Sequence, residues 1–202
     1  SFPAEFHAQT AVEAAMILHA RLKVMGKNAD AIARIVIRTQ EAAIRIIDKQ
    51  GALANPADRD HCIQYMVAVP LIFGRLTARD YEDIAAADPR IDILRAKIFC
   101  SEDPVFTRDY HDPEKRSIAN ALTVELNDGT VLEEVTVEYP IGHKRRRAEG
   151  WPLLEEKFRR NLARRYGESR QQRIVDASAD RERLEAMPVC DYVDLYAAKD
   201  GA

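Results

Sequence analysis

The chain has 202 residues and a net charge of −3, with 47% hydrophobic and 31% charged residues. Its apolar content excludes a disordered tail, and its 8 glycines exclude a collagen-like chain. The longest apolar run, Met66 to Phe73, falls far short of the ~20 residues a bilayer span needs, while the length suits one large domain or two small ones.

Pro3 disfavours helix at Phe2, so residues 1–7 read as an extended lead-in. Thr10 and Glu13 form a capping-box pattern, and Ala11, Ala15, Leu18 and Leu22 then share one face. That predicts a helix over residues 10–25, ended near Gly26. Ala33, Ile35 and Ile37 alternate with Arg34, Val36 and Arg38, the pattern of a strand. A short helix follows over residues 41–48. Asn55-Pro56 reads as an N-cap with proline at the first helical position. The helix behind it, with Cys62, Ile63, Tyr65, Met66, Val69, Ile72 and Phe73, is apolar on nearly all sides and should be buried. Pro70 should kink it and Gly74 should stop it.

Further helical turns start at Thr77 and at Asp88-Pro89. Asn127-Asp128-Gly129-Thr130 separates Ile118, Leu122, Val124 and Leu126 from Val131, Val135 and Val137, which predicts a β-hairpin. Leu154, Phe158 and Leu162 then mark a helix over residues 152–166, with short helices over 169–178 and 181–187 and a break at Pro188. The fold class is α+β, a small antiparallel sheet packed with helices and followed only by helices. The turn-rich basic segment 139–150 is the natural boundary. The helices after it are too few for an independent core and are expected to dock elsewhere.

Charge is unevenly spread. From His143 to Arg173 there are 11 basic residues against 4 acidic ones, a local excess of seven, which leaves −10 on the remainder. Such a segment suits an anionic ligand, a salt bridge within the fold, or simply a solvated helix face. Cys62, Cys100 and Cys190 form no C-x-x-C pair, so a disulfide framework and a cysteine-only metal or iron–sulfur site are not expected. A reducing compartment fits, and no signal-peptide pattern is visible. The chain opens on Ser1 rather than Met, which reads as a processed chain or a fragment.

His7 sits just before a helix N-terminus, where the positive dipole end favours a neutral imidazole able to act as a base and welcomes a carboxylate. It reads equally as a capping or surface residue. His61 and Tyr65 are four apart on the buried helix, flanked by Arg59, Asp60 and Gln64, and form either a hydrogen-bonded core network or part of a site. His19 reads as structural and His111 as exposed. His143-Lys144-Arg145-Arg146-Arg147 suits a polycarboxylate or a phosphate. A non-catalytic module that binds anions or nucleic acid through this run is the competing reading, although no aromatic residues interleave it. No G-x-G-x-x-G, P-loop, H-E-x-x-H or G-x-S-x-G motif is present.

Long stretches of the chain resemble the MmgE/PrpD superfamily. They include Phe2-Pro3-Ala4-Glu5-Phe6-His7 within residues 1–10 and Asp58-Arg59-Asp60-His61-Cys62-Ile63-Gln64-Tyr65 within 55–69. Asp112-Pro113-Glu114-Lys115-Arg116 and Tyr139-Pro140-Ile141-Gly142-His143 lie in two further matching segments. The resemblance implies an α+β domain over residues 1–147, with residues 148–202 returning to an all-helical domain whose N-terminal half is absent. It implies a cytoplasmic hydro-lyase that removes water from 2-methylcitrate to give 2-methylaconitate, with decarboxylation or epimerisation of a related polycarboxylate as alternatives. It implies His7 and Tyr65 in the site, with acidic, histidine and lysine residues from the missing half. His7 is then assigned proton transfer, and Tyr65 donation at the leaving oxygen or orientation. His61, Gln64, Lys144 and Arg145 are the candidates for substrate binding. No cofactor is expected; the partners expected are a tricarboxylate, the missing helical domain and a second copy in a homodimer, with neither nucleic acid nor membrane.

Overall fold

The computed structural model describes residues 1–197. It divides into two compact units, residues 1–146 and the residues from Arg147 on.

In the first unit a 3-10 turn, Phe6–Ala8, leads into α1 (Gln9–Val24), then β1 (Ile32–Thr39) and α2 (Glu41–Ile47). Next come α3 (Pro56–Asp60), α4 (Ile63–Phe73), α5 (Asp83–Ala86), α6 (Pro89–Arg95), β2 (Ile98–Glu102) and α7 (Pro104–His111). β3 (Asn120–Leu126) and β4 (Val135–Val137) complete it. The sheet order is β2-β1-β3-β4. β1 pairs parallel with β2 and antiparallel with β3, and β3 pairs antiparallel with β4. The class is α+β as expected, but the sheet is mixed rather than antiparallel. A parallel neighbour needs a long crossover, supplied here by α2 to α6.

One sheet face is apolar. Ile32, Ile35 and Ile37 of β1 and Leu122, Val124 and Leu126 of β3 are buried. Ile32 and Ile35, an odd number apart, both point inward because the ladder shifts register between Ile32 and Arg34. α1 packs on β3 and β4, and α4 packs on α1 and α6. On the opposite face Arg38 reaches Glu134 at 2.8 Å and also pairs with Asp103.

The helix ends follow local chemistry. Asn55, Asp88 and Asp103 each precede a proline and accept a hydrogen bond from a backbone N–H of the first turn. Thr77 and Asp80 form a capping box. The Thr10–Glu13 pattern does not: α1 already starts at Gln9, and the Thr10 hydroxyl donates to the Ile118 carbonyl at 2.6 Å. The long buried helix is also split, because Cys62 is extended and α4 restarts after it. The hairpin turn forms at Gly129, yet β4 begins only at Val135 and Val131 is exposed.

Gly74 closes α4 in the left-handed region, at φ +69°, and a Cβ there would lie 2.8 Å from the His19 ring. That ring bonds the Leu71 carbonyl at 2.9 Å, so it cannot retreat without losing the contact. Gly74→Ala is expected to destabilise the unit by about 1–3 kcal/mol, read as a lowered urea midpoint at unchanged slope.

The second unit holds α8 (Arg147–Ala163), α9 (Glu168–Ala179), α10 (Arg181–Ala186) and α11 (Val189–Asp194). Leu162, Ile174 and Val175 form its small core, with Phe158, Tyr166, Leu195 and Tyr196 against them. Among the described residues no helix is long and apolar enough to cross a membrane.

Candidate active site

His7 and its polar partners gather where β3 begins. His7 lies in the 3-10 turn before α1 and is 7% exposed. Glu5 caps that turn, one carboxylate oxygen accepting from the His7 backbone N–H at 2.8 Å and the other lying 2.8 Å from His7 Nδ1. His7 Nε2 is 3.1 Å from the Tyr110 hydroxyl, which α7 delivers from 103 residues away. The His7 carbonyl accepts from Asn120 Nδ2 at 2.8 Å, which ties the turn to the start of β3. Three buried polar atoms in this neighbourhood, Gln40 Nε2, Ser117 Oγ and Asn120 Oδ1, have no hydrogen-bond partner.

Burial pushes the Glu5 carboxyl up, but the hydrogen bonds from the His7 side chain and backbone outweigh it and hold Glu5 below its ordinary range. A carboxyl whose native value is depressed stabilises the fold above its unfolded value and loses that contribution as pH falls through the native value. Wild type should therefore exceed Glu5→Gln in stability at neutral pH. The gap should begin to shrink below about pH 4.3, the ordinary glutamate value, and vanish in stronger acid. Urea midpoints of both proteins across that range measure it.

The basic loop lies on the same unit. Arg145 stacks over the Tyr139 ring at 5.1 Å and donates to the Glu114 carbonyl. Arg146 pairs with Glu13 at 2.8 Å and donates to the Tyr139 carbonyl at 2.7 Å. Lys144 is exposed. His143 stacks on Tyr139 at 4.7 Å, and its imidazole is held below its ordinary value by burial and by the Arg145 and Lys144 cations. A relay of contacts links loop and histidine: Tyr139 to the Lys115 carbonyl, Lys115 to Asp109, and Asp109 next to Tyr110.

The remaining predicted residues fall differently. His61 is exposed, with Nδ1 2.5 Å from Asp60, whose carbonyl accepts from the Glu5 backbone, so it neighbours the His7 cluster. Gln64 is fully buried. Its amide donates to the Asp48 carboxylate and its carbonyl accepts from Cys62 Sγ at 3.4 Å, so partners within the fold engage both ends of it. Tyr65 donates to the Asp80 carbonyl and stacks on Tyr81 at 5.8 Å. It lines a polar cleft of about 320 Å³ with Arg59, Asp83, Asp92 and Arg95, and His7 does not line that cleft. His7 and Tyr65 thus engage different partners. Glu5 and Tyr110 were not foreseen as site residues. Glu5 is legible from its place two residues before His7, whereas nothing local marks Tyr110.

The MmgE/PrpD C-terminal domain family matches residues 2–182, and the chain belongs to it. The 2-methylcitrate dehydratase of Cupriavidus necator is 73% identical over 197 residues, covering 98% of this chain and 41% of that protein. The 2-methylcitrate dehydratase of Escherichia coli O157:H7 is 67% identical over 196 residues, covering 97% of this chain and 41% of that protein. The mitochondrial 2-methylcitrate dehydratase of Yarrowia lipolytica is 60% identical over 200 residues, covering 99% and 38%. The chain spans about two fifths of the length of these relatives.

Proposed function

We propose that this chain is the C-terminal part of a hydro-lyase that removes water from 2-methylcitrate to give 2-methylaconitate, a step in propanoate breakdown. The observation that carries the reading is 73% identity, sustained over 98% of the chain, to a protein that bears that activity in its name. On this reading residues 1–147 are the α+β domain. The later helices join an all-helical domain whose remaining part comes from chain outside these residues. That domain supplies the rest of the site, and the whole enzyme forms a homodimer in a reducing compartment.

Dehydration takes a proton from a carbon beside a carboxylate and expels a hydroxyl. The developing charge needs cations or N–H donors, and the hydroxyl needs a proton. His7 carries the proton transfer. Lys144 and Arg145 meet substrate carboxylates, with His61 at the margin of the His7 cluster. Burial pushes the Tyr65 hydroxyl up to about 12, so it stays protonated at neutral pH and is suited to donate rather than to accept a proton. Its role is orientation, and donation to a leaving oxygen requires it to exchange the Asp80 carbonyl for substrate. Gln64 drops out of the binding set.

The test is to incubate the full-length protein with 2-methylcitrate. Appearance of a conjugated alkene by absorbance, with loss of one water by mass, is the expected result. Release of carbon dioxide instead would assign decarboxylation, and an unchanged mass with altered stereochemistry would assign epimerisation. The nucleic-acid reading of residues 143–147 loses ground because Arg146 is already paired with Glu13 and no aromatic residues interleave the run.

A further inference from the structure

We infer that Glu5 and Tyr110 are positioning residues for His7. Glu5 holds the imidazole with its proton on Nδ1, which leaves Nε2 as the basic nitrogen. The Tyr110 hydroxyl donates to that nitrogen until substrate displaces it. The inference rests on His7 being the proton-transfer residue of the proposed function.

The hydrogen-bond inventory fixes the tautomer. Both Glu5 oxygens are directed at His7, one accepting from the backbone N–H and one facing Nδ1. An ionised carboxylate has no proton to give, so Nδ1 must carry one. The neutral ring then has its lone pair on Nε2, and the hydroxyl 3.1 Å away must be the donor. Two further contacts keep this geometry in register. Asn120 holds the His7 carbonyl, and the Lys115 ammonium grips Asp109, the residue before Tyr110, at 2.7 Å.

The two partners act on basicity in opposite senses. A carboxylate at Nδ1 stabilises the imidazolium that forms when Nε2 takes a proton. A hydroxyl donating to Nε2 stabilises the neutral ring and restrains the base while the site is empty. The other charged groups at this spot, among the described residues, are Asp60 and His61, next to Glu5, and Asp109 with its cations Lys115 and Arg108 behind Tyr110.

The experiment compares pH profiles of kcat/KM for the full-length enzyme acting on 2-methylcitrate. In Glu5→Gln one end of the side chain becomes a donor, so it cannot accept from both His7 N–H groups. The ring proton then moves to Nε2. Here kcat should fall by roughly 100-fold with KM little changed, and the acid limb should move to lower pH. In Tyr110→Phe the acid limb should move the other way, to higher pH, with kcat retained within about tenfold. Nitrogen-15 shifts of the His7 ring read the tautomer directly and should place the proton on Nδ1 in the wild type. Acid limbs that stay put, or shift in the same direction in both variants, overturn the inference. If His7→Ala is inactive at the same time, the functional reading survives that failure. Normal turnover by His7→Ala instead removes His7 from the mechanism, and the assignment of the two partners goes with it, while the dehydration itself stands.

Discussion

His7→Ala is expected to lower the kcat of the full-length enzyme on 2-methylcitrate by about 100-fold or more, the range seen when a positioned acid–base group is lost. The reason lies in how the ring is held. It is 7% exposed, clamped at Nδ1 by Glu5 and met at Nε2 by Tyr110, and its main chain is fixed by Asn120. An alanine there leaves Glu5 still bonded to the backbone N–H, so the turn and the start of α1 should survive. The signature is a loss of kcat with a near-normal urea midpoint. His61→Ala provides the contrast. That imidazole is exposed and bonded only to its neighbour Asp60 among the described contacts, so its removal should act on KM far more than on kcat.

Leu18→Ala should have the largest effect on stability, a loss of about 2–5 kcal/mol. Leu18 is fully buried on α1, the helix that packs against α4 on one side and against β3 and β4 on the other. Truncation removes the transfer free energy of the lost atoms and leaves a cavity that helix and sheet backbones cannot close. With a urea slope of about 1–3 kcal/mol/M, the midpoint should drop by on the order of 1–2 M. Ile17, the preceding residue, is 38% exposed, and its truncation should cost much less. Equal losses at both positions would mean that α1 does not lie as described.

Local signals account for much of the fold. The apolar face of α1, the alternation in β1, the all-round apolar character of α4 and the Asp-Gly turn before β4 are each visible in short windows. β2 is not. Ile98, Phe99, Cys100, Ser101 and Glu102 show no alternation, because an edge strand in a parallel pair takes its identity from β1 and not from its own pattern. α7 does carry a local mark: Asp103-Pro104 has the same chemistry as Asn55-Pro56 and Asp88-Pro89. The Thr10–Glu13 pattern misleads because both side chains find distant partners, Thr10 the Ile118 carbonyl and Glu13 the Ile141 N–H and Arg146. The candidate site divides in the same way. His7 and Glu5 are read from one short turn, whereas Tyr110 reaches them only through the placement of α7 beyond β2, which no spacing rule encodes. Gln64 shows the converse, a polar residue in an apolar helix whose partners Asp48 and Cys62 make it part of the core.

The order of strands in the sheet also bears on how the protein is made. Ile37 in the second strand of the row pairs with Cys100 on one side and with Leu122 on the other. Neither neighbour exists when β1 leaves the ribosome. At about 5–20 residues/s, on the order of ten seconds of synthesis separate β1 from the end of β3. Until β2 emerges the segment with Ile32, Ile35 and Ile37 has both edges open, and one edge stays open until β3 follows, the state most prone to join a foreign chain. The nascent chain should therefore be a strong client of chaperones until residue 126 has emerged, and synthesis without them should yield aggregate in preference to enzyme.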